Sequence, residues 1–162
     1  MLDSAEIALR LGVATAAGGL MGLNRDLRGK PIGLRTLGLV GLATALAVML
    51  AQADSKGLAD ITDATSRVIQ GILTGIGFLG AGVIVHRDGH RRVHGLTSAA
   101  CTWLTACMGI VCGAGEWRLV LPALAIAFLV LLFGGRVERA VHRLLGGSGE
   151  PTTASEPTDS PP

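Results

Sequence analysis

The chain is short of aromatic residues, of charge and of acids in its apolar runs. Tyrosine is absent and aromatics make up only 3%, so the apolar content is aliphatic and small. Charged residues are 16%, against about 25% in soluble domains. With 49% hydrophobic residues and a mean hydropathy of +0.54, one integral membrane domain is expected. The first charges are Asp3 and Glu6, so the basic start of a cleavable signal peptide is missing. Three cysteines, Cys101, Cys107 and Cys112, share one apolar segment. An odd count argues against a disulfide framework, and their spacings give no common helical face for a metal, so they read as packing residues. No carboxylate lies inside an apolar run, where cation-coupled carriers usually place one. No Ser/His/Asp, Cys/His or metal-hydrolase constellation can be assembled. The expectation is a protein that is no enzyme, holds no cofactor and binds no nucleic acid.

What is present is a stretch from Val68 to Val85 with no ionisable residue and dense in glycine. Roughly 20 apolar residues in a helix cross a bilayer core of about 30 Å. Glycine weakens a helix in water but lets helices approach closely in lipid. Gly71 and Gly75 make a GxxxG step, and Gly77 and Ala81 a small-xxx-small step. Gly75, Gly77 and Gly80 also match the dinucleotide fingerprint GxGxxG. That fingerprint needs a preceding strand and an acid about 20 residues on, and this context has neither.

Four more spans flank this one. The first runs from Ile7 to Leu23, with Arg10 snorkelling beside Glu6 four residues earlier and Gly18 and Gly22 making a second GxxxG step. The others are Leu37–Ala53, Leu96–Ala114 and Leu119–Gly135. Pro122 stands in the first turn of the last span, where its missing N–H costs little, and Trp117 suits an interfacial anchor. Arg136, Arg139 and Arg143 follow on an amphipathic extension. Residues 146–162 are Gly, Ser, Thr, Pro and acid, and are expected to be disordered. The loops 24–36 and 86–94 and the Arg136–Arg143 segment hold ten of the 14 Lys and Arg. With five spans these three fall on one side, so the positive-inside rule places the N-terminus outside and the C-terminus in the cytoplasm. The fold class expected is all-α integral membrane, with a five-span domain over 1–145 and a tail over 146–162.

A shift of 62 residues overlays part of the chain on itself. Gly18 meets Gly80, Arg25-Asp26 meets Arg87-Asp88, Gly33-Leu34 meets Gly95-Leu96, and Thr36 meets Ser98. Both copies have the same orientation. This predicts two related hairpins, packed on their glycine faces about a pseudo-two-fold axis along the membrane normal.

The paired loops supply the best candidate site residues: Arg25, Asp26, Arg35 and Thr36 in one, Arg87, Asp88, Thr97 and Ser98 in the other. They suit helix capping, mutual pairing, or an anion or lipid head group. Gly95-Leu96-Thr97-Ser98 reads as a helix cap. Gln70 and Thr74, one turn apart, suit a hydrogen bond to a neighbouring helix or a small polar path. Thr102 and Thr105 read the same way, and Trp103 suits core packing or a pocket wall. His86, His90 and His94 in an arginine-rich loop favour a solvated segment over a metal site. Asp54, Asp60 and Asp63 face the outside, too loosely spaced for more than weak attraction of Mg²⁺ or Ca²⁺.

Three blocks together resemble the MgtC/SapB family of bacterial inner-membrane proteins. They are Gly22-Leu23-Asn24-Arg25-Asp26 with Gly33-Leu34-Arg35-Thr36; Gly71 through Gly82, with Gly75, Gly77, Gly80 and Gly82 in its most specific string; and Gly95-Leu96-Thr97-Ser98-Ala99-Ala100 leading to Trp103. The likeness covers about residues 5 to 135. The chain departs from it at Asn24, where the family often has glutamate, and at Thr97-Ser98, where it often has Thr-Thr. Some members also carry a cytoplasmic C-terminal domain where a short tail is expected here. The resemblance implies a multi-pass inner-membrane protein linked to growth in low magnesium and, in pathogens, to survival in macrophages. It implies regulation of other membrane proteins, the proton-translocating ATP synthase among them, with magnesium transport as the alternative. The partners expected are thus the lipid bilayer and other inner-membrane proteins. Self-association is compatible with the glycine steps.

Overall fold

The computed structural model describes residues 3–53, 58–86 and 93–145. Five helices carry the described chain: α1 (Ser4–Asp26), α2 (Leu34–Ala53), α3 (Leu58–Val83), α4 (Leu96–Gly113) and α5 (Val120–Leu144). A single 3₁₀ turn, Trp117–Leu119, leads into α5. All five are long and apolar enough to cross a membrane. The all-helical reading therefore holds, with one addition: Val85-His86 pairs antiparallel with Val93-His94 in a two-residue ladder between α3 and α4. The tail from 146 and residues 87–92 lie outside the described residues.

Two helices run longer than their apolar content suggests. α3 starts at Leu58, ten residues before the uncharged run. The charges of the expected connection do not by themselves end a helix, and from 58 to 70 no Gly or Pro favours an end. Asp63 and Arg67 pair at 2.8 Å one turn apart, which suits a helix surface. α5 likewise continues through Gly134 and Gly135 to Leu144, so span and amphipathic extension form one helix. The molecule divides into two compact units inside α5, between Ile126 and Ala127. Past that division, Arg136 and Arg139 each donate to a carbonyl one turn back, Leu132 and Gly135, both at 2.9 Å.

In the first unit α2 and α4 pack against each other, α1 lies on both, and α3 lies on α4 and α2. The core sits between α1, α2 and α4, on Ala14, Met21, Leu37, Val48, Thr105 and Cys112. Small residues bring these backbones together. A Cβ on Gly18 would strike the carbonyl of Leu37, one on Gly41 that of Ala14, and one on Gly109 or Gly113 the backbone of α2 at Gly41 or Ala45. Close approach of this kind replaces the missing hydrophobic drive between helices in lipid.

The glycine run of α3 behaves differently, which corrects the expectation of two hairpins packed on their glycine faces. Among the described residues nothing lies within 4 Å of a Cβ placed on Gly71, Gly75, Gly77 or Gly82, and Gly80 meets only Ala99, at 3.6 Å. Ile76 is the one described α3 side chain that is buried. Gly71, Gly75 and Gly82 fall on the opposite half of the helix from Ile76, by the 3.6-residue period.

Candidate functional site

Polar residues gather where α1 ends, α2 begins and α4 begins. α1 closes with a glycine at φ 59°, Gly29. Its amide donates to Asp26 and that of Lys30 to Arg25, at 3.0 Å each, the two bonds of a Schellman close. This turn fixes Asp26 beside the start of α2, where its Oδ2 accepts from the Leu34 amide at 2.9 Å. A Cβ on Gly33 would collide with that carboxylate, so glycine is required there to seat the cap. Ile32, next to it, is a β-branched residue at φ 66°, a conformation that costs about 1–3 kcal/mol.

Arg25 turns the other way. Its residue is 5% exposed, and its Nη2 donates to Ser98 Oγ at 2.6 Å across 73 residues of sequence. Its Nε has no partner among the described residues, nor has the buried Oδ1 of Asn24. Arg25 and Asp26 thus do not pair with each other: the acid caps α2 and the base enters the bundle. A buried charge without an acid is costly, and intramembrane ionisable groups as a rule mark function.

The expected cap at the start of α4 differs as well. Gly95, at φ 97°, stands at the N-cap and no side chain caps this end. Ser98 is buried as the acceptor for Arg25, while Thr97 is exposed. Arg87 and Asp88 lie outside the described residues. Arg35 and Thr36 are exposed in the first turn of α2. Thr102 is buried and returns its hydroxyl to the Ser98 carbonyl at 3.0 Å. Buried Thr105 Oγ1 has no partner among the described residues. Trp103 is 49% exposed, so it is not core; it stands on the outer side of α4.

Gln70 and Thr74 are exposed on the open side of α3. Thr74 Oγ1 donates to the Gln70 carbonyl at 2.8 Å, so the hydroxyl serves its own helix and not a neighbour. Cys101 and Cys112 are buried and Cys107 half-buried, all three free. Among the described residues no three His, Cys, Asp or Glu gather to hold a metal. His90 and Asp54 lie outside the described residues, and Asp63 is taken up by Arg67.

At the far end Arg10 does more than snorkel. It pairs with Glu6 at 2.8 Å and donates to the Gly113 carbonyl at 3.0 Å. A cation on the last carbonyls of α4 satisfies groups the helix leaves free. The Gly109–Gly113 step that meets α2 is visible in the sequence as GxxxG, and Gly38 and Gly41 opposite as GxxG; what they face is not.

The model of the MgtC family matches residues 11–140. The chain is 40% identical over 144 residues to protein SrpB of Synechococcus elongatus, covering 85% of this chain and 79% of that one. It is 38% identical over 131 residues to the putative magnesium transporter YhiD of Escherichia coli K12, covering 79% and 60%. It is 35% identical over 136 residues to protein MgtC of Salmonella typhimurium, covering 84% and 54%. The chain therefore spans little more than half the length of the last two. No solved structure matches it.

Proposed function

The chain belongs to the MgtC family, and on that premise we propose that it serves magnesium homeostasis and low-magnesium adaptation from the bacterial inner membrane by regulating other membrane proteins. It is a multi-pass membrane protein of magnesium-related kin. The regulatory reading is carried by one observation: α3 presents Gly71, Gly75 and Gly82 with nothing against them, beside exposed Gln70 and Thr74. Small residues and a polar side chain on a lipid-facing helix are the features that bind one membrane helix to another. A transmembrane helix of another inner-membrane protein is the partner this face suits, and a second copy of the chain is the competing occupant.

The ten basic residues on one side support an N-out, C-in topology. The packing of α1 and α3 on a central α2–α4 pair supports the parallel repeat of two hairpins. Fusions of a reporter active only in the cytoplasm to residue 145 and to the N-terminus test the topology; an active N-terminal fusion overturns it.

A second reading has its own support in the name of the Escherichia coli relative, a putative magnesium transporter: a conduit for Mg²⁺. Liposomes carrying the folded protein and a magnesium dye separate the two. The regulatory reading expects uptake no greater than in empty liposomes, with or without a membrane potential. It also expects low-magnesium growth of a deletion strain to be restored by wild type but not by Gly75→Leu at equal membrane abundance. Uptake that disappears in Gln70→Leu overturns regulation in favour of the conduit.

A further inference from the structure

A groove of about 360 Å³ runs between α2 and α3, lined by Leu39, Val40, Ala43, Ile76 and Leu79, by Thr44, whose hydroxyl is returned to the Val40 and Gly41 carbonyls, and by Arg35 and Thr36. Its two ends differ in chemistry. The trough is aliphatic, and Leu39 and Leu79 stay 64% and 49% exposed, open toward the lipid. The Arg35 end is where α2 begins, so the positive pole of that helix lies there. The amides of Arg35 and Thr36 have no acceptor inside the helix, by α-helix geometry, and Asp26, which caps this end, is taken by the Leu34 amide. Arg35 is exposed and no carboxylate is paired with it among the described residues. Lys30, in the connection between α1 and α2, is also exposed.

We propose that this groove holds an anionic phospholipid, one acyl chain along the α2–α3 trough and the phosphate against Arg35 and Thr36. A cation and a hydroxyl above an aliphatic channel match a molecule that is anionic at one end and hydrocarbon at the other. A free phosphate would leave the trough uncovered. A zwitterionic lipid would bring its own cation to a basic end. The proposal uses neither the α3 glycine face nor any transport activity, so it stands or falls apart from the regulatory reading. Held there, the lipid seals the side of α3 that faces α2 and leaves the Gln70–Gly75 side free.

Native mass spectrometry of the full chain released from nanodiscs tests it. From membranes mixing phosphatidylglycerol and phosphatidylcholine, the protein is expected to keep one phosphatidylglycerol. Arg35→Gln is expected to weaken retention about fivefold, the effect of one basic residue at an anionic surface. Ala43→Phe, which fills the trough from an exposed position, is expected to remove the retained lipid. Leu46→Phe, on α2 but outside the groove, should change nothing, and equal thermal stability of the variants excludes misfolding. Equal retention of both lipids overturns the proposal. So does displacement by millimolar inorganic phosphate, which marks a free-anion site. A change of oligomeric state in Ala43→Phe without loss of lipid assigns the groove to a second copy and overturns it as well.

Discussion

Two sets of glycines occupy the same fold and do opposite things. Five in α1, α2 and α4 stand where another backbone already sits: Gly18 on Leu37, Gly22 on Gly33, Gly41 on Ala14, Gly109 on Gly41, Gly113 on Ala45. Four of α3, Gly71, Gly75, Gly77 and Gly82, stand in open space among the described residues. In sequence the second set is the more conspicuous, four open glycines within twelve residues. Glycine density therefore marks surfaces able to accept a helix, and only the fold tells whether the helix is already supplied. The polar residues divide the same way. On the crowded side Arg25, Ser98 and Thr105 are buried; on the open side Gln70 and Thr74 are exposed.

The contrast breaks most readily at Gly109. Gly109→Leu would drive a side chain into Gly41 and Thr44 and is expected to destabilise by about 3 kcal/mol or more, the upper range for overpacking. Loss of monodisperse protein and a lowered melting temperature in detergent would register it. Wild-type stability in this variant would mean that α2 and α4 do not meet there. Asp26→Ala removes the cap on α2 and should cost about 1 kcal/mol, read as a fall in melting temperature. Gly33→Ala should match it, because it displaces the same carboxylate; additive losses in the double variant would show that the two do not act through one contact. Ile32→Gly relieves a left-handed β-branched residue and should raise stability by about 1 kcal/mol. The smallest change in stability is expected on the open side. Gly75→Leu meets nothing and replaces a poor helix former with a good one, a gain of less than about 1 kcal/mol, while low-magnesium growth fails. Destabilisation like that of Gly109→Leu would show α3 to be packed within the monomer.

Arg25 sharpens the comparison from the polar side. Replacing a buried charge with an apolar residue of similar volume is often neutral or stabilising. Arg25→Met should therefore fold at least as well as wild type, and a loss of low-magnesium growth in a stable variant would make Arg25 a functional group. Full growth in the stable variant would show that low-magnesium growth does not depend on its charge.

Composition and local order alone determined five apolar helices, the membrane setting, the free cysteines and the family. Those follow from summed hydropathy over windows of a turn or more and from short strings such as Gly75–Gly82, and neither depends on distant residues. The Asp26 region could be read as a cap because the acid and the helix it caps are eight residues apart. The rest waited on tertiary contacts. Arg25 reaching Ser98 spans 73 residues and Arg10 reaching Gly113 spans 103, and no periodicity records which far side chain a cation will meet. Trp103 fell outside the core and the α3 glycines outside the packing for the same reason. A helix in lipid has no solvent that sorts its faces, so an apolar residue turned to lipid and one turned to another helix look alike in sequence. Only the placement of the neighbouring backbone separates them.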